Sequence, residues 1–428
     1  MISRFLSEIS SLSFKGLAPM LSKIIGMGAG YFNIWIITKY YGLEAQGAFS
    51  FLTTVINLTA LFSMTGMDTF LLKQASIYHA GEKQKEYTGL LLRVVLMGVF
   101  QAAIAGGLFF LFSGQLAAFY EAPNYSIAFK IFAFGIPFYV AFYLLNEAQR
   151  TRNNNLLYSM GNHAYGVFVL LLLSAALLFD IKGELIPVWS YIAAAILLFI
   201  VMLVTSFNVL VRPRVFSLSQ RQIRKMAWPF FMISSVSLLL NWTDVLMLRW
   251  LTNEAELGAY HIIFRLGLLV TLPLTVLNTI LPAKFAGLRL KKEKKELQQL
   301  ITTSLRFSTA GSLVIFGGLV LVMSLVFDLL EVNDYPHLWE GTFILGLGHL
   351  IAAFFGPNGS FLLMADSEKK YTVILGITAV LNIVLNFMLI PQYGFIGATI
   401  ATAISVVVRN LWAVASIKKT HQLKFWIH

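Results

Sequence analysis

Among the ionisable side chains inside long apolar runs, four could bind a ligand: Lys23, Asp244, His261 and Arg265. A charged group at membrane depth is energetically costly unless it faces water or a partner, so such residues mark ligand and ion pathways. At 1.5 Å per residue, Lys23 lies about 9 Å inside its run, and Asp244 and Arg265 lie about 10 Å from the outer ends of two consecutive runs. The cations could bind an anionic ligand, with Asp244 orienting Arg265 and His261 one turn away on the same face. Alternatively, Asp244 and Arg265 form a salt bridge that only fixes two helices.

Two further charged residues are weaker candidates for a ligand site. Lys39 ends the run that contains Lys23 but points about 160° away from it at 100° per residue, which favours an interfacial anchor. Asp68 lies near the inner end of the second run, with Lys73 and Arg93 close to that rim. Asp68 is therefore either a partner in a structural ion pair or a site for a coupling ion.

The remaining weak candidates are Arg249, at the entry to a polar turn, and several asparagines within the runs. These asparagines could contact a polar ligand, but asparagine also forms hydrogen bonds between helices in a membrane. They are Asn33, Asn57, Asn241 and Asn278. In the first run, Gly26 and Gly30 form a GxxxG pair, which favours close helix packing.

The elements that position these residues are long helices in lipid. Hydrophobic residues make up 58% of the 428 residues and charged residues 12%, which is more apolar surface than a soluble domain of this size can bury. Twelve runs are close to the ~20 residues that cross a bilayer as a helix. The predicted fold is an all-α integral membrane protein of about twelve transmembrane helices. The predicted spans are 17–40, 48–72, 89–112, 127–146, 158–179, 188–210, 226–250, 258–282, 301–327, 341–364, 372–390 and 397–416.

The distribution of Lys and Arg predicts the topology. Outside the spans, the termini and the even-numbered gaps hold 23 of these cations, and the odd-numbered gaps hold one, Lys182. The positive-inside rule then places both termini in the cytoplasm. Topology and attraction to anionic lipid account for the net charge of +12, so we expect membrane lipid and no nucleic acid as a partner. Residues 2–12 have an apolar face, which favours a short interfacial helix or, alternatively, a disordered start.

Two absences limit the chemistry. The chain has no cysteine, which excludes disulfides and thiolate metal sites, and we predict no cofactor and no metal centre. It also has no GxxxxGK[ST] nucleotide-binding loop, so ATP does not drive it directly.

The chain is internally repeated. The turn KYYGLEAQGAF at residues 39–49 returns as RWLTNEAELGAY at 249–260, each with a cation at its entry and with glycine, alanine and an aromatic residue at its exit. Repeats of this kind recur in secondary transporters. We expect an N-terminal lobe at 1–210 and a C-terminal lobe at 226–428, joined by a basic cytoplasmic linker at 211–225.

Three stretches predict interruptions in the helices. Residues 356–359 (GPNG) break the tenth run, and Pro391 with Gly394 makes a tight turn between the last two runs. Pro273 is expected to bend the eighth helix.

Four stretches together resemble the Wzx-type lipid-linked oligosaccharide flippases, the polysaccharide transporters of the multidrug/oligosaccharidyl-lipid/polysaccharide exporter superfamily. They are residues 42–49, 66–68, 244–260 and 391–402, and the resemblance extends over nearly the whole chain. It implies two six-helix lobes facing each other in a V around a central cavity. It also implies that an undecaprenyl-pyrophosphate-linked oligosaccharide is moved from the inner to the outer leaflet of the bacterial cytoplasmic (inner) membrane, for O-antigen or other polysaccharide biosynthesis.

The resemblance also implies roles for single residues. Lys23 and Arg265 fall where the family and its lipid II flippase relatives place cavity cations, although a lysine binds phosphate as a point charge and not through two parallel hydrogen bonds. The implied mechanism is alternating access, with H⁺ or Na⁺ as a coupling ion or with substrate consumption outside as the driving force. Polysaccharide polymerase and chain-length machinery are the implied protein partners.

Two other functions stay open at this point. A multidrug exporter of the same superfamily would prefer an acidic cavity for its cationic drugs, and the excess of deep cations argues against it. A membrane-embedded glycan polymerase or ligase would need a large outer loop, whereas the longest outer gap is 113–126. We therefore predict a transporter and not an enzyme.

Overall fold

The computed structural model describes residues 14–152, 154–290 and 293–425, and every regular element in these ranges is helical. The all-α prediction is confirmed, while the interfacial helix predicted within residues 2–12 lies outside the described residues. The α-helices are α1 (Phe14–Ile36), α2 (Leu43–Met64), α3 (Met67–Ala80), α4 (Gln84–Leu111), α5 (Ser113–Phe119), α6 (Tyr125–Thr151), α7 (Asn155–Leu178), α8 (Ile186–Leu210), α9 (Gln220–Leu251), α10 (Glu254–Leu269), α11 (Leu272–Leu290), α12 (Lys294–Leu330), α13 (Leu338–Phe354), α14 (Asn358–Met364) and α15 (Glu368–His421). A π-helical turn, Ile37–Tyr41, follows α1 directly.

Most of these helices have the length and composition of membrane spans. Among the described residues, seven helices are long and apolar enough to cross a membrane, and two bent pairs, α10 with α11 and α13 with α14, meet the same test together. A helix suits such apolar runs because it satisfies its own backbone hydrogen bonds where no water can. To within a residue, each predicted span lies in one helix or across two consecutive helices. The chain is a multi-pass membrane protein.

The three predicted interruptions are all present. α13 and α14 meet at a 44° bend beside Gly356, and α10 and α11 meet at a 62° bend just before Pro273. Within α15, Gly394 has φ +55° and ψ −136°, which separates the last two predicted spans. A Cβ at Gly394 would overlap the Glu256 carboxylate, which accepts a hydrogen bond from the Phe395 N–H at 2.7 Å. The turn therefore needs glycine both for its backbone conformation and for space.

Residue contacts divide the chain into two compact units. Unit 1 comprises the residues up to Tyr41 together with Leu52–Ser235, and unit 2 comprises Gly42–Phe51 and Val236–His428. Helix α2 therefore begins in unit 2 and ends in unit 1, and α9 passes from unit 1 into unit 2. The lobes at 1–210 and 226–428 and the linker at 211–225 stay a prediction.

Each unit has an interior built from mutually packed helices. In unit 1, α4, α6 and α8 pack together and α1 packs along α7. In unit 2, α10, α13 and α15 pack together, and a second apolar cluster joins α11, α12, α14 and the end of α15. The contacts between these helices contain the buried polar groups that form the candidate site.

Candidate functional site

The two repeated turns begin their helices in different ways. Gly42 has φ +94°, a conformation that glycine adopts without strain, and α2 starts at the next residue. In the second turn, Asn253 caps α10 by accepting a hydrogen bond from the Glu256 N–H at 2.9 Å. The sequence repeat thus corresponds to a repeated turn between two helices.

The helices that follow these turns, α2 and α10, cross at the two glycines of the repeat. A Cβ on Gly47 would overlap the carbonyl oxygen of Glu254, and a Cβ on Gly258 would overlap the carbonyl oxygen of Leu43. Each glycine therefore faces the carbonyl that lies four residues before the other glycine. The crossing lies within unit 2, and it explains why glycine occurs at both positions.

Gly47→Ala is expected to lower the apparent melting temperature of the protein in detergent. Its methyl group would meet backbone atoms, which cannot move aside as a side chain can, and forcing an atom into a packed contact costs about 1–3 kcal/mol. Gly28→Ala is the control, because nothing lies within 4 Å of a Cβ on Gly28 and alanine favours a helix by roughly 1 kcal/mol. Equal melting temperatures for the two variants would contradict the close crossing.

Polar side chains from the two turns also meet beside the crossing. The side-chain amide of Gln46 and Nδ1 of His261 form a hydrogen bond, with 2.8 Å between Gln46 Nε2 and the ring nitrogen. Arg249 is 5% exposed and forms an ion pair with Glu254 at 2.8 Å. Arg249 therefore ties the entry of the second turn to the start of α10.

Asp244 lies at the centre of a buried group of polar side chains, the Asp244 cluster. Its Oδ2 accepts hydrogen bonds from the hydroxyls of Tyr260 and Thr402, each at 2.7 Å, and its Oδ1 accepts one from Asn386 Nδ2 at 2.5 Å. Asn386 Nδ2 also donates to Asn382 Oδ1 at 3.1 Å. The carboxylate is 5% exposed. Residues from α9, α10 and both halves of α15 thus converge on one buried negative charge.

The Asp244 cluster has the atoms to hold a small cation or a proton. The Oδ1 of Asn386 is buried with no hydrogen-bond partner, and rotating this amide by 180° would turn the oxygen toward Asp244. Carboxylate, amide and hydroxyl oxygens are the ligands that hard cations prefer. In the described part of the chain, no three His, Cys, Asp or Glu side chains come together as a metal site. The cluster is therefore the candidate for an ion that binds and leaves.

Arg265 lies on a different face of α10 from the residue that bonds Asp244. The partners of Asp244 are Tyr260, Thr402 and Asn386, so the predicted pairing with Arg265 is wrong. Tyr260 precedes Arg265 by five residues on α10, and the two side chains therefore point about 140° apart. The Arg265 side chain is exposed, and the charge of Arg265 interacts with His261 one turn earlier. His261 and Arg265 therefore lie on one face of α10, as the predicted polar wall requires.

Lys23 of α1 lies beside His163 of α7 in unit 1. Both side chains are half-buried, and their charges interact. The two helices are joined by a 2.6 Å hydrogen bond between the hydroxyls of Ser22 and Ser159. They also approach closely at Gly26, where a Cβ would lie 2.6 Å from the His163 carbonyl oxygen. The close packing predicted from the glycines is confirmed at Gly26.

The two weaker charged candidates have distinct settings. Lys39 is half-buried in the π-helical turn. Asp68 lies in the first turn of α3, near Glu147, whereas Arg93 donates to the Leu218 carbonyl and Lys73 lies 5.9 Å from an aromatic ring of α9. Among the described contacts, neither Lys73 nor Arg93 forms an ion pair with Asp68.

The asparagine candidates bond between helices, as the alternative interpretation predicts. Asn33 Nδ2 donates to the Gly166 carbonyl at 2.9 Å. Asn57 accepts from the Tyr139 hydroxyl, and Asn278 accepts from the Ser360 hydroxyl, both at 2.7 Å. The side chain of Asn241 lies outside the described residues.

Sequence reasoning missed four residues: His163, Asn382 and Asn386 in these groups, and Arg409, which lies farther along α15 from the Asp244 cluster. His163 follows Gly161 and Asn162, a polar interruption in an apolar run. Asn382 and Asn386 are four residues apart, a spacing that places both on one helix face. Arg409 is a charged residue inside the last predicted span. Each signal was visible, but none identifies a partner on another helix.

Comparison with known families and curated proteins finds proteins of polysaccharide and glycan biosynthesis. A family model described as polysaccharide biosynthesis protein matches residues 15–285. The probable flippase AglR of Haloferax volcanii is 28% identical over 187 residues, which cover 42% of this chain and 39% of that protein. The probable low-salt glycan biosynthesis flippase Agl15 of the same organism is 26% identical over 192 residues, which cover 43% and 39%. The matched region thus spans about two fifths of the length of each relative.

Solved transporter structures share the fold. The lipid II flippase MurJ in an inward closed conformation gives a TM-score of 0.74 at 15% identity, covering 94% of this chain and 87% of that one. An inward-facing multidrug resistance MATE transporter of the MOP superfamily gives 0.76 at 12% identity, covering 92% and 96%. At these identities the likeness establishes the fold alone.

Proposed function

The chain belongs to the polysaccharide biosynthesis protein family, and on that premise we propose that it is a flippase for a lipid-linked glycan. The proposed substrate is an undecaprenyl-pyrophosphate-linked oligosaccharide repeat unit, which moves from the inner to the outer leaflet of the bacterial cytoplasmic membrane. The flippase names of AglR and Agl15 support this proposal. The protein is proposed to act as a transporter and not as an enzyme, with both termini in the cytoplasm.

The observation that carries the proposal is the placement of a cation near a histidine in each unit. Lys23 lies one turn before Gly26, where α1 contacts His163 of α7, and Arg265 lies one turn after His261 on α10. A head group with two phosphates is costly to transfer into hydrocarbon unless fixed charges and donors replace its water. Hydrogen bonds between cations and phosphate oxygens are among the strongest that side chains form. The two pairs would therefore give the pyrophosphate one binding station in each unit.

The Asp244 cluster is proposed to hold the coupling ion, H⁺ or Na⁺. A cation there would neutralise the buried carboxylate and satisfy the oxygen of Asn386 that has no hydrogen-bond partner. Because Tyr260 belongs to both the cluster and α10, ion binding would be transmitted to the helix that carries Arg265. This link would couple the ion to the substrate site during alternating access.

The translocated unit would pass to polysaccharide polymerase and chain-length machinery on the outer side. Membrane lipid surrounds the protein throughout, and the basic predicted cytoplasmic segments would attract its anionic head groups.

Reconstitution in liposomes tests this function against drug export. Vesicles that contain the protein and a fluorescent lipid-linked oligosaccharide are treated outside with a glycosidase that cannot cross the membrane. We expect the fraction of cleaved oligosaccharide to rise above the fraction that was in the outer leaflet at the start. Protein-free vesicles should show no such rise. Transport of a cationic dye with no movement of the glycolipid would instead favour the multidrug exporter.

A further inference from the structure

Five buried polar atoms in the described part of unit 2 have no hydrogen-bond partner. Three of them lie on α13 and α15: Asn386 Oδ1, Ser405 Oγ and His349 Nε2. Their side chains are at most 8% exposed. Buried polar groups are nearly always bonded to protein or to ordered water, because leaving one unpaired costs about 1–3 kcal/mol. Interior water is the partner that these atoms are expected to have.

One of these atoms, Ser405 Oγ, belongs to a polar face in the second half of α15. Ser405 and Arg409 follow Thr402 by three and seven residues, so all three residues lie on one face of the helix. Thr402 bonds Asp244, so the face begins at the Asp244 cluster, which also contains Asn386. At 1.5 Å per residue, it descends about 10 Å from Thr402 to Arg409, toward the predicted cytoplasmic side.

His349 lies on α13, beside this polar face of α15. We call the region between α10, α13 and α15 at this place the seam. The His349 ring lies 3.5 Å from the position of a Cβ on Gly267 of α10, and Arg409 of α15 lies near enough to act on the ring electrostatically. These three helices pack against one another in the interior of unit 2. Arg409 is half-buried and lies about 10 Å from the cytoplasmic end of its predicted span, at seven residues of 1.5 Å each. A positive charge thus lies at the inner end of the seam.

We propose that this seam is a hydrated internal path from the Asp244 cluster toward the cytoplasmic half of unit 2, and that Arg409 bars it to cations. The second part rests on the proposed role of the Asp244 cluster in holding the coupling ion. Water beside Ser405 and His349 would solvate that ion site from within. The guanidinium would repel Na⁺ and protons, as a fixed arginine does in pores that pass water alone. The ion could then not leak to the cytoplasm without transport.

A single introduced thiol tests the hydration of the seam, since the chain contains no cysteine. Ser405→Cys places a thiol of nearly equal size at the seam. Ser312→Cys is the matched control, because Ser312 is fully buried on α12 and its hydroxyl donates to the Val270 carbonyl at 2.7 Å. Alkylation requires the thiolate, which an apolar, dry site disfavours. We therefore expect iodoacetamide to alkylate the thiol at position 405 at a rate at least ~10-fold higher than the thiol at position 312. The full-length protein is used, and each variant is first checked for a monodisperse elution profile.

Charge preference then tests the barrier, because iodoacetate and iodoacetamide differ mainly in charge. In the Ser405→Cys background, Arg409→Gln should lower the ratio of the iodoacetate rate to the iodoacetamide rate by about 3–10-fold, since a nearby positive charge is removed. Arg409→Lys keeps the charge and should keep the ratio.

Two results would overturn the proposal. Equally slow alkylation at positions 405 and 312 would show that the seam is dry. Fast alkylation at 405 with a ratio that Arg409→Gln leaves unchanged would remove the barrier role. Neither readout needs transport, so these failures are distinct from a failure of the flippase proposal.

Discussion

Arg265→Ala is expected to reduce translocation of the lipid-linked oligosaccharide by about 100-fold, to a level near background, because a charge-assisted hydrogen bond contributes up to ~3 kcal/mol. The side chain is exposed on α10 and shares its face with His261, so it can contact a ligand at the surface of the helix. Membrane insertion should be unaffected, since the substitution removes a charge from an apolar helix. Arg265→Lys should retain part of the activity, because it keeps the charge but loses the planar donor fork.

Arg306→Ala is the matched control for this prediction. Arg306 is likewise an exposed arginine in unit 2, on α12, but it lies near enough to the predicted cytoplasmic surface to act as an anchor. It should translocate at the rate of the unaltered protein. Normal translocation by a well-expressed Arg265→Ala variant would remove Arg265 from the substrate site.

Asp244→Asn is expected to abolish the cation dependence of both stability and transport. The unaltered protein should be stabilised by the coupling cation, by about 2.7 kcal/mol at 100 times its dissociation constant. Asparagine removes the negative charge, and its N–H₂ group replaces either the oxygen that accepts from Tyr260 and Thr402 or the oxygen that accepts from Asn386. The lost charge should eliminate the cation-induced rise in melting temperature, and the mismatched donors should destabilise the protein by roughly 1–3 kcal/mol.

Asp366→Asn serves as the control for the removal of one negative charge. Asp366 is an exposed residue of unit 2 that pairs with Arg289 at 2.7 Å, and it should leave the cation response intact. The melting temperature is measured with NaCl replaced by a salt of a bulky organic cation, and at two pH values to separate Na⁺ from H⁺. A full cation response in Asp244→Asn would exclude the cluster as the coupling site.

The helices and their breaks could be predicted because they follow from local properties of the chain. Apolar runs of bilayer length fix the spans, and Gly394 and the GPNG stretch interrupt them through backbone conformation and the missing proline N–H. The repeated turns were equally visible. What the repeat could not show is that Gly47 and Gly258 face each other, which depends on how α2 and α10 cross.

The candidate site was less predictable because depth along a helix does not determine which way a side chain points across the bundle. Asp244 and Arg265 have equal predicted depths, yet Tyr260 is the residue of α10 that reaches Asp244. Its other partners, Thr402 and Asn386, lie more than 140 residues away in sequence, and only the lateral packing of helices brings them together. Lys23 was identified from its depth, whereas its neighbour His163 required the packing of α1 on α7.

The sidedness of lipid-linked oligosaccharide in cells depleted of this protein tests the central claim most directly. A lectin or glycosidase that cannot cross the cytoplasmic membrane is applied to spheroplasts, and the protected and accessible glycolipid pools are compared before and after depletion. The flippase proposal predicts that single repeat units accumulate on the cytoplasmic face, protected from the probe. Accumulation of unpolymerised units on the outer face would contradict it, because the protein would then act after translocation, as a polymerase or ligase does.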